Sequence, residues 1–169
     1  KTTYTHYLTA QPSGSLIQTN LRETFYNSNG YVISETNFYR SGLSDSMVGN
    51  SKYEYSYHAD GIHVFESLNY RFDVAQNKWI LQEKMEYPTY DSFGNNTEII
   101  KSIWDISGAK LKLFSKQINN YNSNNIATLL SSYSWNESIN NWVGYGKYEY
   151  IFDENDNLID ASKYSWDAI

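Results

Sequence analysis

Residues 147 to 152 read Lys-Tyr-Glu-Tyr-Ile-Phe, and residues 52 to 57 read Lys-Tyr-Glu-Tyr-Ser-Tyr. In both runs the aromatic side chains return at every second position, which is the period of a half-buried β-strand. Tyrosine, phenylalanine and tryptophan favour a pleated, half-covered surface, so propensity and period select strand together. One side of each run carries Tyr53, Tyr55, Tyr57, Tyr148, Tyr150 and Phe152, and the alternate side carries Lys52, Glu54, Lys147 and Glu149. Nowhere does the chain show the periodicity of an amphipathic helix.

Each run ends on an aromatic residue followed by a short polar one, and that pair recurs as Tyr26-Asn27, Tyr57-His58, Tyr90-Asp91, Tyr121-Asn122 and Phe152-Asp153, in steps of 31, 33, 31 and 31. Four residues after each aromatic stands a turn former: Gly30, Gly61, Gly94, Asn125 or Asp156. These residues tolerate the positive φ of a tight hairpin tip, and an Asp or Asn after the aromatic can close an Asx-turn. A second landmark lies fourteen residues after the aromatic, at Trp104-Asp105, Trp135-Asn136 and Trp166-Asp167, and fifteen after it at Phe72-Asp73. Trp79, Leu111 and Trp142 open the next strand in each case.

A period of this size signals one supersecondary unit stacked on its copies. The expected fold is all-β: an antiparallel meander of about eleven strands built from five hairpin repeats of about 31 residues, curled into a barrel-like or folded-over sheet. The boundaries predicted are a leader strand at 1–15, carrying Tyr4 and Tyr7, and hairpins at about 16–42, 43–74, 75–106, 107–137 and 138–169, all in one domain. Curling is expected because no helix exists to cover the aromatic side. Pro88 and one extra residue between Trp79 and Tyr90 predict a bulge or a bent strand. In the last hairpin a three-residue tip pairs Phe152 with Leu158, then Tyr148 with Ser162, Gly146 with Tyr164 and Gly144 with Trp166. The neighbouring unit sets Trp135 opposite Leu113 and Tyr133 opposite Ser115, so that large rings lie over small residues.

The aromatic-Asp/Asn turn followed by a strand ending in Trp-Asp/Asn resembles the tyrosine- and aspartate-marked repeats of small exported Bacteroides-type proteins of unknown function. That resemblance covers residues 16 to 167 and implies export; it transfers no catalytic residue.

Composition narrows the function classes. A net charge of -6, with lysine and arginine nowhere clustered, disfavours nucleic acid and anionic membranes as partners. No apolar run reaches the eighteen or so residues of a transmembrane helix. The chain has no cysteine, which removes thiolate nucleophiles and cysteine-type zinc sites. It begins at Lys1, without an initiator methionine, so a removed leader and an extracytoplasmic location at a bacterial envelope are expected.

No catalytic signature emerges. His58 occupies a repeated turn position, His63 faces it across the tip, and His6 lies in the leader, so the three histidines do not converge on a metal. Asp153, Asn155, Asp156, Asn157 and Asp160 are dense in oxygen ligands but lack the glycine and glutamate spacing of a calcium loop. Asp91, Asp105, Asp153 and Asp167 are copied by the repeat, whereas an active site should break it. No nucleophile elbow or phosphate-cradling loop occurs, and no cofactor is implied. The candidates for binding are Trp79, Trp104, Trp135, Trp142 and Trp166, because flat rings stack on sugars; the competing role for them is to fill the interior between repeats. Three readings are ordered from this: an exported, non-enzymatic domain for adhesion or assembly with a glycan or envelope protein as partner, a carbohydrate-binding module, and last a glycan-active enzyme.

Overall fold

The computed structural model describes residues 1–9, 16–40 and 46–166, the side chains of residues 3–9 and 16–18 excepted. Asp167 and the side chains of Tyr4, His6 and Tyr7 fall outside the described residues. The strands are β1 (Thr2–Thr9), β2 (Leu16–Tyr26), β3 (Val32–Arg40), β4 (Met47–Tyr57), β5 (Val64–Asp73), β6 (Lys78–Tyr90), β7 (Asn96–Asp105), β8 (Lys110–Tyr121), β9 (Ala127–Asn136), β10 (Asn141–Phe152) and β11 (Leu158–Tyr164), with no helix among the described residues. They follow one another in strict chain order as an antiparallel meander. Packing divides the chain into two compact units, Lys1–Lys84 and Met85–Ile169, with the boundary inside β6. β6 runs on through Pro88.

The five expected turn formers all take positive φ: Gly30 (84°), Gly61 (70°), Gly94 (87°), Asn125 (63°) and Asp156 (61°). At four tips the residue after the aromatic closes the Asx-turn with its side chain, as when Asp153 Oδ1 accepts from the N–H groups of Asn155 (2.9 Å) and Asn157 (2.8 Å). Asn27, Asp91 and Asn122 do the same. His58 has no oxygen to offer, and at its tip Asp60 accepts instead from the N–H groups of Ile62 and His63. A second series of turns after the Asp/Asn strand ends puts Asn77, Ala109 and Asn140 at positive φ.

Two kinds of bulge set the register of the ladders on either side of β6. Phe152 pairs with Leu158 as expected, but Ile151 pairs with Asp160, so Ile159 is an extra residue and the ladder beyond it is one position out. Tyr148 therefore faces Lys163, not Ser162, and Tyr164 faces Lys147, not Gly146. Thr128 is the matching extra residue in β9, which gives Tyr133 the partner Lys116 in place of Ser115. Ile33 and Phe65 play the same part in the first unit. The second bulge lies mid-strand, at Thr19, Asn50, Phe114 and Tyr145, and the steps from 19 to 50 and from 114 to 145 are each 31. A bulge reverses which side of the sheet the following residues occupy. Trp142 pairs with Trp135, whereas Tyr148 pairs with Leu130, on the other side from Trp135. Within β10 the ring of Trp142, before the mid-strand bulge, thus lies on one side of the sheet and those of Tyr148 and Tyr150, after it, on the other.

The expected barrel closure does not occur. Among the described residues β1 has its ladder with β2 and β11 with β10, so the sheet is open. Closure was expected because an aromatic side needs cover, and each unit finds that cover laterally. Among the described residues no hydrophobic side chain is buried, and the buried positions are the polar Thr24, Thr36, Ser102, Asn119 and Ser131 with Gly49 and Gly146. Rings lean on neighbouring rings, glycines and lysine stems within one layer, which removes part of their area from water at roughly 25 cal/mol per Å².

Candidate binding site

In unit Lys1–Lys84, Trp79 is held between two phenylalanines, with ring centroids 5.0 Å from Phe72 and 6.4 Å from Phe38, both edge-on. Gly49 lies beneath them: a methyl placed there would come 2.7 Å from Phe72 Cγ and 2.8 Å from Trp79 Cζ2. Next to this cluster the Lys52 ammonium sits 5.0 Å over the Tyr70 ring and pairs with Glu54 at 2.5 Å. Tyr70 donates to Glu54 at 2.8 Å, and burial together with that carboxylate pushes the phenol up to about 12. Burial pulls Glu54 upward, yet the Lys52 and Tyr70 hydrogen bonds prevail and hold it below the usual carboxylate range.

The other four tryptophans belong to unit Met85–Ile169. Trp135 and Trp142 are cross-strand partners whose rings meet at 5.1 Å and 71°. The Lys116 ammonium lies 5.4 Å over Trp142 and 5.1 Å over Tyr133. Trp166 tilts against Tyr133 at 5.6 Å and 45° and rests on Gly144. These angles do not make the coplanar row that an extended glycan would track. Trp142 lies under Lys116 and meets Trp135 in a T-shaped contact, so it packs.

Trp104 and Trp135 are brought together differently. Both line an open groove of about 610 Å³ formed where β7, β8 and β9 reach their turns, with Leu113 and Phe114 as further apolar lining. Ile106, 87 % exposed, stands at the same groove. Lys112 crosses it as a charged bridge, 2.9 Å from Asp105 and 3.2 Å from Glu137. Asp105 also accepts from the Ser107 hydroxyl at 2.6 Å and the Ser107 N–H at 3.0 Å, and these bonds with Lys112 hold it far below the usual carboxylate range. Lys112 is correspondingly raised by Asp105 and Glu137.

The indole N–H groups of Trp79, Trp104, Trp135 and Trp142 make no hydrogen bond among the described residues, and the single buried polar side-chain atom without a partner there is Asn96 Oδ1. None of these indole N–H groups is both sealed from water and unpaired, as an unsatisfied core donor would be. These rings are half-buried and pack sideways on their neighbours.

A second groove, of about 790 Å³, lies over β2, β3 and β4. Within it Arg22 pairs with Glu35 at 2.6 Å and Asn37 donates to Ser51 at 3.2 Å. His63 and Asp60 pair at 2.7 Å, and His58 packs edge-on to Phe65 at 5.2 Å. The Asp153 and Asp156 carboxylates are taken up by turn N–H groups and by Asn157, Asn124 and Asn122. Sequence reasoning missed Lys112, Glu137, Phe114 and Ile106. The bulge that turns Phe114 outward and the Lys112 bridge depend on register, and the separate tryptophan positions carried no sign that residues 104 and 135 share a groove.

No known family model and no curated protein sequence matches this chain. Among solved structures it is similar to a Bacteroides fragilis protein of unknown function, at 18% identity and a TM-score of 0.61 over 76% of this chain and 90% of that one. It is also similar to a DUF3836 family protein from Bacteroides vulgatus, at 22% identity and a TM-score of 0.43 over 56% and 90%. A DUF3836 family protein from Parabacteroides distasonis matches at 20% identity and a TM-score of 0.42 over 66% and 89%. The first of these likenesses is one of fold.

Proposed function

We propose that this chain is an extracytoplasmic, non-enzymatic β-repeat domain that serves adhesion or assembly at a bacterial envelope. The observation that supports it is the uncovered aromatic sheet: no hydrophobic side chain is buried among the described residues, and Phe93, Phe114, Tyr145 and Trp166 stand exposed. Exposed aromatic area of this kind marks interaction surfaces. The carboxylates of the repeated turns are bound up in turn geometry, which is a structural occupation and supports a non-catalytic reading.

The assembly arm has its own support in β11. This edge strand exposes Leu158 (56 %) and Ile159 (65 %) beside a backbone edge with one ladder partner, and such edges accept further strands. The test pairs two measurements on the purified chain: light scattering across a hundredfold concentration range, and retention on immobilised envelope polymers and outer-membrane proteins. Mass growth or saturable retention is expected. A monomer retained by none of these surfaces would end the reading.

A second reading, carbohydrate binding, is favoured by the tryptophan-lined groove and is carried to a specific site below.

A further inference from the structure

We propose that the groove between Trp104 and Trp135 is a binding site for a neutral pyranose unit of a glycan. This rests on the binding reading above and assigns its ligand.

The chemistry follows from what surrounds the space. A pyranose ring has an apolar C–H face and an equatorial rim of hydroxyls. It therefore needs a flat apolar wall and, at the wall's edge, donors and acceptors held in place before it arrives. Trp104 and Trp135 provide the walls, and their indole N–H groups have no hydrogen-bond partner among the described residues, so they remain as donors. The volume of about 610 Å³ falls within the roughly 300–1,000 Å³ of small-molecule sites and exceeds what one side chain would fill.

The rim is preorganised. Asp105 is fixed by Ser107 and Lys112, and Lys112 is fixed by Asp105 and Glu137, so ordering them on binding costs little further entropy. Glu137 is the acceptor with room left: its side chain is 61 % exposed and meets Lys112 at 3.2 Å. Two carboxylates against one ammonium leave the rim with one negative charge, in a chain of net charge -6. Uronic or sialic acids would be repelled there, which selects neutral sugars. Trp79 and Trp142 do not belong to this site, since Phe72 and Phe38 enclose the one and Lys116 covers the other.

The experiment is a calorimetric and tryptophan-fluorescence titration of the whole 169-residue chain with cellohexaose, chitohexaose, mannohexaose and oligogalacturonate. Saturable binding of at least one neutral oligomer, with none of oligogalacturonate, is expected. Ile106→Arg is the primary variant, because Ile106 is 87 % exposed and its replacement obstructs the groove without touching packing. It should weaken binding at least tenfold, as should Trp104→Phe, while Trp79→Phe stays within twofold. Unchanged affinity in Ile106→Arg and Trp104→Phe would overturn the groove and leave the binding reading standing on another surface. Preference for oligogalacturonate would overturn the charge argument and with it the ligand. Silence toward all four oligomers would overturn the groove proposal alone, because retention on envelope proteins is scored separately.

Discussion

The indole of Trp166 lies directly on the backbone of Gly144, so close that a methyl placed on Gly144 would sit 2.5 Å from Trp166 Cδ2. The juxtaposition survives two opposing shifts. Ile159 moves the β10/β11 ladder out by one residue, and Tyr145, directly after Gly144, is an extra residue of β10 against β9.

Three glycines give three different expectations. Gly49→Ala drives a methyl into two rings, Phe72 and Trp79, that also pack on each other, and overpacking of that kind costs about 2 kcal/mol. Gly144→Ala meets one ring, which is 42 % exposed and can swing outward, so about 1 kcal/mol is expected, with loss of the Trp166 near-UV signal. Gly146→Ala meets nothing within 4 Å and should raise stability by about 0.5 kcal/mol. Urea denaturation of the three variants checks the order; equal effects would mean that the rings do not rest on the glycines.

The repeat's tyrosine has a bond to make. Tyr57 donates its hydroxyl to the Val32 carbonyl at 2.6 Å, and Tyr121 donates to the Asn96 carbonyl at 3.2 Å, the same span of 25 residues in each unit. Tyr57→Phe should cost about 1 kcal/mol, since the carbonyl loses the hydroxyl. Tyr121→Phe should cost less, because Asn119 also donates to the Asn96 carbonyl, at 3.2 Å. Chemical denaturation should show this inequality, and a reversal would reassign the tyrosine to ring packing alone.

Legibility in the sequence followed chemistry. Gly30, Gly61, Gly94, Asn125 and Asp156 announced positive φ because few residues take that conformation, and all five do. Ala109 takes it too, at 49°, but nothing about an alanine signals left-handed backbone. The strands were legible from their aromatic period. The bulges were not, since a residue that drops out of a ladder has no composition of its own: Thr19, Asn50, Phe114 and Tyr145 share nothing but their place. Barrel closure was inferred from the need to cover an aromatic side, and lateral cover by lysines and neighbouring rings is a solution that a one-dimensional pattern cannot display. For the same reason five tryptophans read as one set, whereas the structure brings only Trp104 and Trp135 to the groove, Trp135 packing on Trp142 as well.

Ala109 yields a stabilising substitution. In left-handed backbone its Cβ crowds the carbonyl, a strain of roughly 1–2 kcal/mol that glycine lacks. Ala109→Gly recovers part of this against the greater freedom of glycine in the unfolded chain, so a net gain of about 0.5 kcal/mol is expected. Ala109→Val should destabilise by more than that. Thermal melts read both, and a loss of stability in Ala109→Gly would contradict the turn geometry that frames the Trp104 groove.

Acid should loosen the His58 tip through Asp60. The His63 imidazole bonds the Asp60 carboxylate at 2.7 Å, and the N–H groups of Ile62 and His63 add to it, so that Asp60 is lowered to about 2. A carboxylate depressed in the folded state contributes stability that is complete above its unfolded value, near 4, and is lost as pH falls through the folded one. Between pH 4 and pH 2 this tip should therefore loosen, with faster amide exchange at Ile62 and His63. In Asp60→Asn the side-chain oxygen still accepts from both N–H groups but carries no titrating charge, so the acid sensitivity should vanish there while the turn persists. Carboxyl-detected NMR titration locates the midpoint; a value near 4 would show that the imidazole does not hold the carboxylate in solution and would return this tip to an ordinary solvated turn.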